Sequence, residues 1–121
     1  FLNAYNNLCL CLCEKEMSTD VLQIEAMRIS ADTVVQKLKS IANTDRLLIL
    51  CHLVHEELNV SQIEEKTHIM QPTLSQQLMI LRKSDVVNTR RDGKQIFYSI
   101  KDQQLTIILN TLYQLYCPQD D

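Results

Sequence analysis

The chain has 121 residues, of which 45% are hydrophobic and 22% charged, and a formal net charge of −3. This length suits one domain with its own core. No apolar run approaches the roughly 20 residues that cross a bilayer, and a single glycine excludes the glycine-rich phosphate loops of Rossmann and P-loop enzymes. Because turns at positive φ favour glycine, its scarcity predicts a mainly α-helical fold.

The first residues differ in character from the rest of the chain. We expect residues 1–17 to be an N-terminal arm, disordered or not native to the protein, and residues 18–121 to form the domain. The start of the chain has no recognisable secretion signal, and the five cysteines do not have the spacing of a secreted disulfide scaffold. The sequence therefore predicts a cytoplasmic protein with reduced thiols.

Apolar periodicity predicts four helices in the first half of this domain, over residues 18–28, 31–42, 46–55 and 61–67. The third follows a break with an N-cap at Asn43-Thr44-Asp45, and the fourth opens with a capping box from Ser61 to Glu64. Gln71-Pro72-Thr73 starts a fifth helix, since proline suits a first turn. Its predicted buried stripe consists of Leu74, Leu78 and Leu81.

The remaining elements are a hairpin and a last helix. Two β-type runs, residues 86–90 and 95–100, are joined by Arg91-Asp92-Gly93-Lys94, in which Asp-Gly is a strong turn signal. The final helix, residues 102–116, has an apolar face wide enough to indicate burial against a partner.

The charge of this hairpin region differs from that of the whole chain. Residues 82–101 hold six basic and two acidic side chains, a local charge of +4, so the remainder carries −7. Such a segment is an electrostatic footprint for a polyanion, or a solvated charged face. Two short helices, the second polar, followed by a basic hairpin are typical of a winged helix-turn-helix, whose second helix reads base edges while the hairpin contacts phosphates.

Three ordered blocks resemble the ArsR/SmtB family of transcriptional repressors: LKSIANTDRLLIL (38–50), QPTLSQQLMILR (71–82) and TRRDGKQIFY (89–98). The resemblance extends from about residue 31 to 116. It implies a non-enzymatic homodimer, paired through its terminal helices, that represses by binding a two-fold operator in double-stranded DNA. It also implies base contacts from Gln71, Thr73, Ser75 and Gln76, and phosphate and groove contacts from Arg90, Arg91 and Lys94. The simpler interpretation of each is a solvated surface residue.

The metal sites common in this family are missing from the sequence. Asn59 and Ser61 stand where arsenite- and soft-metal-binding relatives have cysteines. Of the ligands that zinc-sensing relatives have on the last helix, only Asp102 remains; Gln104, Leu115 and Pro118 take the other positions. Since Zn²⁺ needs about four N, S or O ligands, we expect no metal and no cofactor.

Cys51 and Cys117, 66 residues apart, resemble the thiol pair of the sulfide- and persulfide-sensing branch, that of the biofilm growth-associated repressors. By that resemblance, reactive sulfur species link the two cysteines through a disulfide or polysulfide bridge and the protein releases DNA. The simpler alternative is a small core residue and a frayed-end thiol.

Two other functions stay open. A metal- or metalloid-responsive repressor could use Cys51, His55 and Cys117, or the crowded Cys9, Cys11 and Cys13. A small thiol-dependent reductase would also use two cysteines, but it would usually have a CxxC pair or a thiolate at a helix N-terminus.

Overall fold

The computed structural model describes residues 21–118. The elements in this range are α1 (Val21–Ile41), α2 (Thr44–Leu53), β1 (Leu58–Asn59), α3 (Val60–Thr67), α4 (Thr73–Lys83), β2 (Val87–Asp92), β3 (Gln95–Ile100) and α5 (Gln103–Tyr116). The chain divides into two compact units between Gln36 and Lys37. None of the helices in the described range combines the length and apolar character of a membrane span.

The described part of the first unit, residues 21–36, belongs to α1. The prediction of two helices separated near residues 29–30 is wrong, because α1 is one helix from Val21 to Ile41. Neither glycine nor proline occurs there, so nothing in the local sequence ends the helix.

The second unit surrounds one apolar core. The predicted stripe of α4 is confirmed, since Leu74, Leu78 and Leu81 are buried. The other large, fully buried side chains come from α2, β1, α3, α5 and the start of the hairpin: Ile49, Leu50, Leu58, Ile63, Leu105, Leu109 and Val86. This packing holds α4 against α2, with its polar residues outward.

A small antiparallel sheet flanks the core in the order β1–β3–β2. β1 was not predicted because two residues carry no periodic signal. The predicted four-residue turn is too long: the ladder continues to the pair Asp92–Gln95, so only Gly93 and Lys94 form the turn. Gly93 has φ +64°, which explains the position of the single glycine.

Side-chain caps fix the N-terminal ends of α2 and α3. The predicted break with an N-cap at Asn43–Asp45 is present, but the cap is Asn43 and not Thr44, which is the first residue of α2; Asn43 Oδ1 accepts from the Arg46 N–H at 3.1 Å. The predicted Ser61–Glu64 capping box is wrong by two residues. Asn59 Oδ1 accepts from the Gln62 N–H, and Gln62 Oε1 accepts from the Asn59 N–H, each at 2.9 Å.

Candidate nucleic-acid interface and thiol pair

The α3–α4 pair and the β2–β3 hairpin form a winged helix-turn-helix in which α4 is the recognition helix. Thr73, Ser75 and Gln76 are exposed at its N-terminal end, and Gln71 is exposed just before it. This end of a recognition helix is the part that meets base edges. The structure therefore brings together the four residues predicted to face bases.

Two of these four residues are bonded to each other. Gln71 Oε1 accepts from the Ser75 hydroxyl at 2.6 Å and from the Ser75 N–H at 3.1 Å. Gln71 thereby satisfies an N–H in the first turn of α4 that would otherwise lack a partner. Its amide NH₂ is still available as a donor, while Thr73 and Gln76 make no side-chain hydrogen bond within the described residues.

An arginine that the sequence analysis did not identify ties α4 to α2. Arg46, in the first turn of α2, donates from Nη1 to Gln77 Oε1 on α4 at 2.9 Å. Its Nε and Nη2 donate to the carbonyls of Ser40 and Lys39 at 2.8 and 3.1 Å. Gln77 is thus a positioning residue for α4, next to the predicted base reader Gln76.

The three cations predicted to contact phosphates differ in their surroundings. Arg91 and Lys94 are exposed and make no ion pair with any described residue. Arg90 is bound by Glu57: Nη2 donates at 2.6 Å, and Nε donates to both carboxylate oxygens at 3.1–3.2 Å. This bonding holds the pKa of the Glu57 carboxyl below its usual range.

Cys51 and Cys117 are both thiols without a disulfide, in different environments. Cys51, on α2, is half-buried, and Cys117, which ends α5, is exposed. Burial raises the pKa of the Cys51 thiol, and the charge of Cys117 raises it further. The second cause requires the two sulfurs to be within electrostatic reach of each other.

A small cleft lies beside Cys51, between α2 and α5. Its volume is about 30 Å³, and it is lined by Cys51, Val54, His55, Leu109, Asn110 and Tyr113. This space holds about two water-sized groups. Asn110 and Tyr113 were not identified from the sequence, because only the packing of α5 on α2 brings them to Cys51.

Two of the positions compared above with metal-binding relatives have structural roles here. Asn59 caps α3, and Asp102 caps α5 while pairing with Lys37 Nζ at 3.0 Å. Across residues 21–118 no group of three or more His, Cys, Asp or Glu side chains is arranged to hold a metal ion. Cys9, Cys11 and Cys13 lie outside the described residues.

Residues 43–89 match the family described as "Bacterial regulatory protein, arsR family". Over 108 residues the chain is 37% identical to the "Biofilm growth-associated repressor" of Agrobacterium fabrum, covering 89% of this chain and 92% of that protein. This chain belongs to the arsR family. A second member, "Transcriptional activator HlyU" of Vibrio cholerae, is 33% identical over 79% of this chain and 89% of its own.

Solved structures of arsR-family members confirm the winged helix-turn-helix. The transcriptional repressor BigR from Xylella fastidiosa matches with a TM-score of 0.73 at 42% identity, over 78% of this chain and 97% of that one. Reduced HlyU from Vibrio cholerae matches with the same TM-score of 0.73 at 34% identity, over 78% and 99%. The predicted fold and the resemblance to the ArsR/SmtB family are therefore confirmed.

Proposed function

We propose that this arsR-family protein is a homodimeric, cytoplasmic transcriptional repressor that binds a two-fold operator while its thiols are reduced. Reactive sulfur species link Cys51 to Cys117 and cause the release of DNA. The observation that carries the proposal is the placement of Cys51 on α2 beside the cleft that α5 lines, with Cys117 at the end of α5, where its charge raises the pKa of the Cys51 thiol. The relatives named as biofilm growth-associated repressors, and the relative described as reduced HlyU, support it.

The chemistry is thiol–disulfide exchange. A cysteine thiolate attacks the outer sulfur of an organic persulfide, RS–SH; the S–S bond breaks, and RS⁻ leaves and is protonated to RSH. The protein then carries Cys–S–SH. The second thiolate attacks the cysteine sulfur of this group and expels HS⁻, so two protein thiols lose two electrons and the persulfide becomes thiol and sulfide. If each cysteine first becomes Cys–S–SH, their condensation leaves a three-sulfur bridge and releases H₂S.

The contacts of α2 suggest how such a bridge reaches the DNA-binding surface. Cys51 and Arg46 both lie on α2, and Arg46 holds Gln77 of the recognition helix. A bridge to Cys117 draws the end of α5 against α2 and changes the support of α4. The two recognition helices of a dimer then lose the spacing that a two-fold operator requires.

The DNA-binding surface combines direct base readout with phosphate contacts. Thr73 and Gln76 reach base edges, while Gln71 and Ser75 act as a bonded pair. Arg91 and Lys94 contact phosphates from the wing.

Two substitutions test this surface. Gln76→Ala should relax base preference at one position. Arg91→Ala should weaken binding to all sequences and reduce the slope of log K against log salt by about one.

The deciding experiment measures binding to DNA of the protein's own promoter region at several salt concentrations. The reduced protein is compared with protein treated with an organic persulfide, peroxide, zinc or arsenite. We expect tight binding by the reduced protein and release by persulfide. Cys51→Ser and Cys117→Ser should bind DNA but fail to release it.

A variant with Cys9, Cys11 and Cys13 all changed to serine is the matched control and should respond as the wild type does. Persulfide release by both Cys51→Ser and Cys117→Ser would exclude the switch. Release by zinc or arsenite alone would instead indicate a metal-responsive repressor. Turnover of persulfide with a thiol reductant, without DNA binding, would indicate the reductase.

A further inference from the structure

Arg90 lies in an environment that differs from that of a phosphate-binding arginine. Its guanidinium is bonded through Nε and Nη2 to the Glu57 carboxylate, and its remaining nitrogen, Nη1, is 3.9 Å from Asp92 Oδ2. Two carboxylates around one guanidinium give this cluster a net charge of −1. A DNA phosphate approaching it is repelled, whereas the nearby Arg91 and Lys94 have no described acidic partner.

The sheet register explains why Arg90 and Glu57 meet. Arg90 on β2 pairs with Phe97 on β3, and Phe97 pairs with Asn59 on β1. Glu57 lies two residues before Asn59, at the position where a side chain is a diagonal neighbour on the same sheet face. The guanidinium carbon of Arg90 lies 4.7 Å from the centre of the Phe97 ring, so its plane is covered as well.

Strand alternation separates Arg90 from its neighbour. Successive residues of β2 point to opposite faces of the sheet, so Arg90 and Arg91 cannot present their side chains to the same surface. Arg90 lies on the face of the sheet where Glu57, just before β1, binds it. Arg91, on the opposite face, is exposed and has no ion pair among the described residues.

The segment that Arg90 bonds to leads directly into the helix-turn-helix. Glu57 precedes β1, and β1 continues into α3. The β1–β3 ladder contains only two residue pairs, Leu58–Tyr98 and Asn59–Phe97. Besides this ladder, the side-chain bonds from the β1 segment to the wing are Glu57 to Arg90 and Asn59 Nδ2 to Gln95 Oε1 at 3.0 Å, within the described residues.

We propose that Glu57, Arg90 and Phe97 form a clasp that sets the angle of the wing relative to α3 and α4. In this clasp Arg90 is a positioning residue and does not contact DNA. The inference departs from the sequence-based expectation for Arg90 and rests on the proposed DNA-binding function. Arg91 and Lys94 then supply the phosphate contacts of the wing.

The test uses the full chain, reduced, on promoter DNA over a series of salt concentrations. A phosphate contact contributes about 0.9 to the slope of log K against log salt. We expect Arg91→Gln to lose about that much slope. Arg90→Gln and Glu57→Gln should each weaken binding about three- to tenfold with the slope unchanged. A misaligned wing keeps Arg91 and Lys94 beside phosphates but in poorer hydrogen-bonding geometry, so affinity falls while the number of neutralised phosphates stays the same.

Three comparisons separate the clasp from a direct contact. Glu56→Gln removes the same charge one residue away, from a carboxylate paired with Lys66, and corrects for long-range attraction. The double variant Glu57→Gln with Arg90→Gln should bind no more weakly than either single variant. Arg90→Lys keeps the charge but loses the two-pronged bond, so it should behave as Arg90→Gln does.

Hydrogen exchange on the free protein gives a readout that does not depend on DNA. Amides of the β1–β3 ladder should exchange faster in Arg90→Gln, Arg90→Lys and Glu57→Gln, while the core of α4 stays protected. The clasp is overturned if exchange is unchanged, if Arg90→Gln loses slope as Arg91→Gln does, or if Glu57→Gln binds more tightly than Glu56→Gln. If the wild type does not bind promoter DNA but the three variants still exchange faster than it does, the proposed function fails and the clasp stands.

Discussion

Cys51 combines two properties that oppose ionisation. It is half-buried on α2, and a charge on Cys117 adds repulsion, so both its environment and its neighbour raise its pKa. Because only the thiolate attacks sulfur, Cys51 is held largely in its unreactive thiol form near neutral pH. A thiol with a raised pKa reacts slowly with oxidants in general, because little of it is thiolate.

The pH dependence of alkylation tests this property. Because the folded pKa is raised, the Cys51 alkylation rate should keep rising above the ordinary thiol pKa of about 8.5. Its half-maximal pH should exceed that of the same residue in the unfolded chain, and Cys117→Ser should lower it without abolishing the difference. Mass spectrometry of the Cys51 peptide after timed alkylation gives the rates. Equal half-maximal pH values for Cys51 alkylation in the folded and unfolded chains would contradict a raised pKa in the folded state.

At the scale of the elements, α5 depends on Asp102 at its N-terminus. One Asp102 oxygen accepts from the Gln104 N–H at 3.0 Å and from the Leu105 N–H at 3.4 Å, and the other pairs with Lys37 at 3.0 Å. Asp102→Ala should therefore lower the free energy of unfolding by about 1 kcal/mol, most of it from the lost cap. Chemical denaturation monitored by circular dichroism measures this loss.

Asp102→Asn is the matched control, because asparagine still caps a helix but carries no charge for Lys37. It should cost less than the alanine variant. Added zinc should leave the stability of wild type and both variants unchanged if Asp102 acts as a cap. Zinc stabilisation of the wild type that Asp102→Ala abolishes would assign this carboxylate to a metal instead.

Elements and contacts differ in how far the sequence predicts them. The stripe of α4 and the hairpin follow from local periodicity and from Asp92-Gly93, so both were predicted. The break in α1 was wrong because a change of apolar pattern does not end a helix in the absence of glycine or proline. The bonds Arg46–Gln77 and Arg90–Glu57 join residues 31 and 33 positions apart, so only the folded chain brings them together.

At the scale of the whole molecule, each terminal helix has large apolar side chains that are exposed. On α1 these include Ile24 and Ile29, and on α5 Leu115 and Tyr116, the last two 69% and 79% exposed. On each of the two helices, large exposed apolar residues of this kind are typical of an interface. Together with the family, they support the proposal that two copies pair through their terminal helices.

Leu115→Glu tests this pairing, because a carboxylate placed in an apolar interface loses its hydration. We expect a shift from dimer to monomer in sedimentation velocity, with at least a hundredfold weaker operator binding because one copy reaches only one half-site. Gln104→Glu, which adds the same charge at the exposed start of α5, should stay dimeric and bind normally.

The proposed dimer interface lies next to a thiol. Tyr116 precedes Cys117, so a bridge to Cys51 would constrain the same end of α5 that carries Leu115 and Tyr116 of the proposed interface. Persulfide treatment should therefore change the sedimentation coefficient or the dimer dissociation constant of the wild type, and leave Cys51→Ser unaffected. A dimer that is identical before and after a verified Cys51–Cys117 bridge would confine the signal to the Arg46–Gln77 contact between α2 and α4.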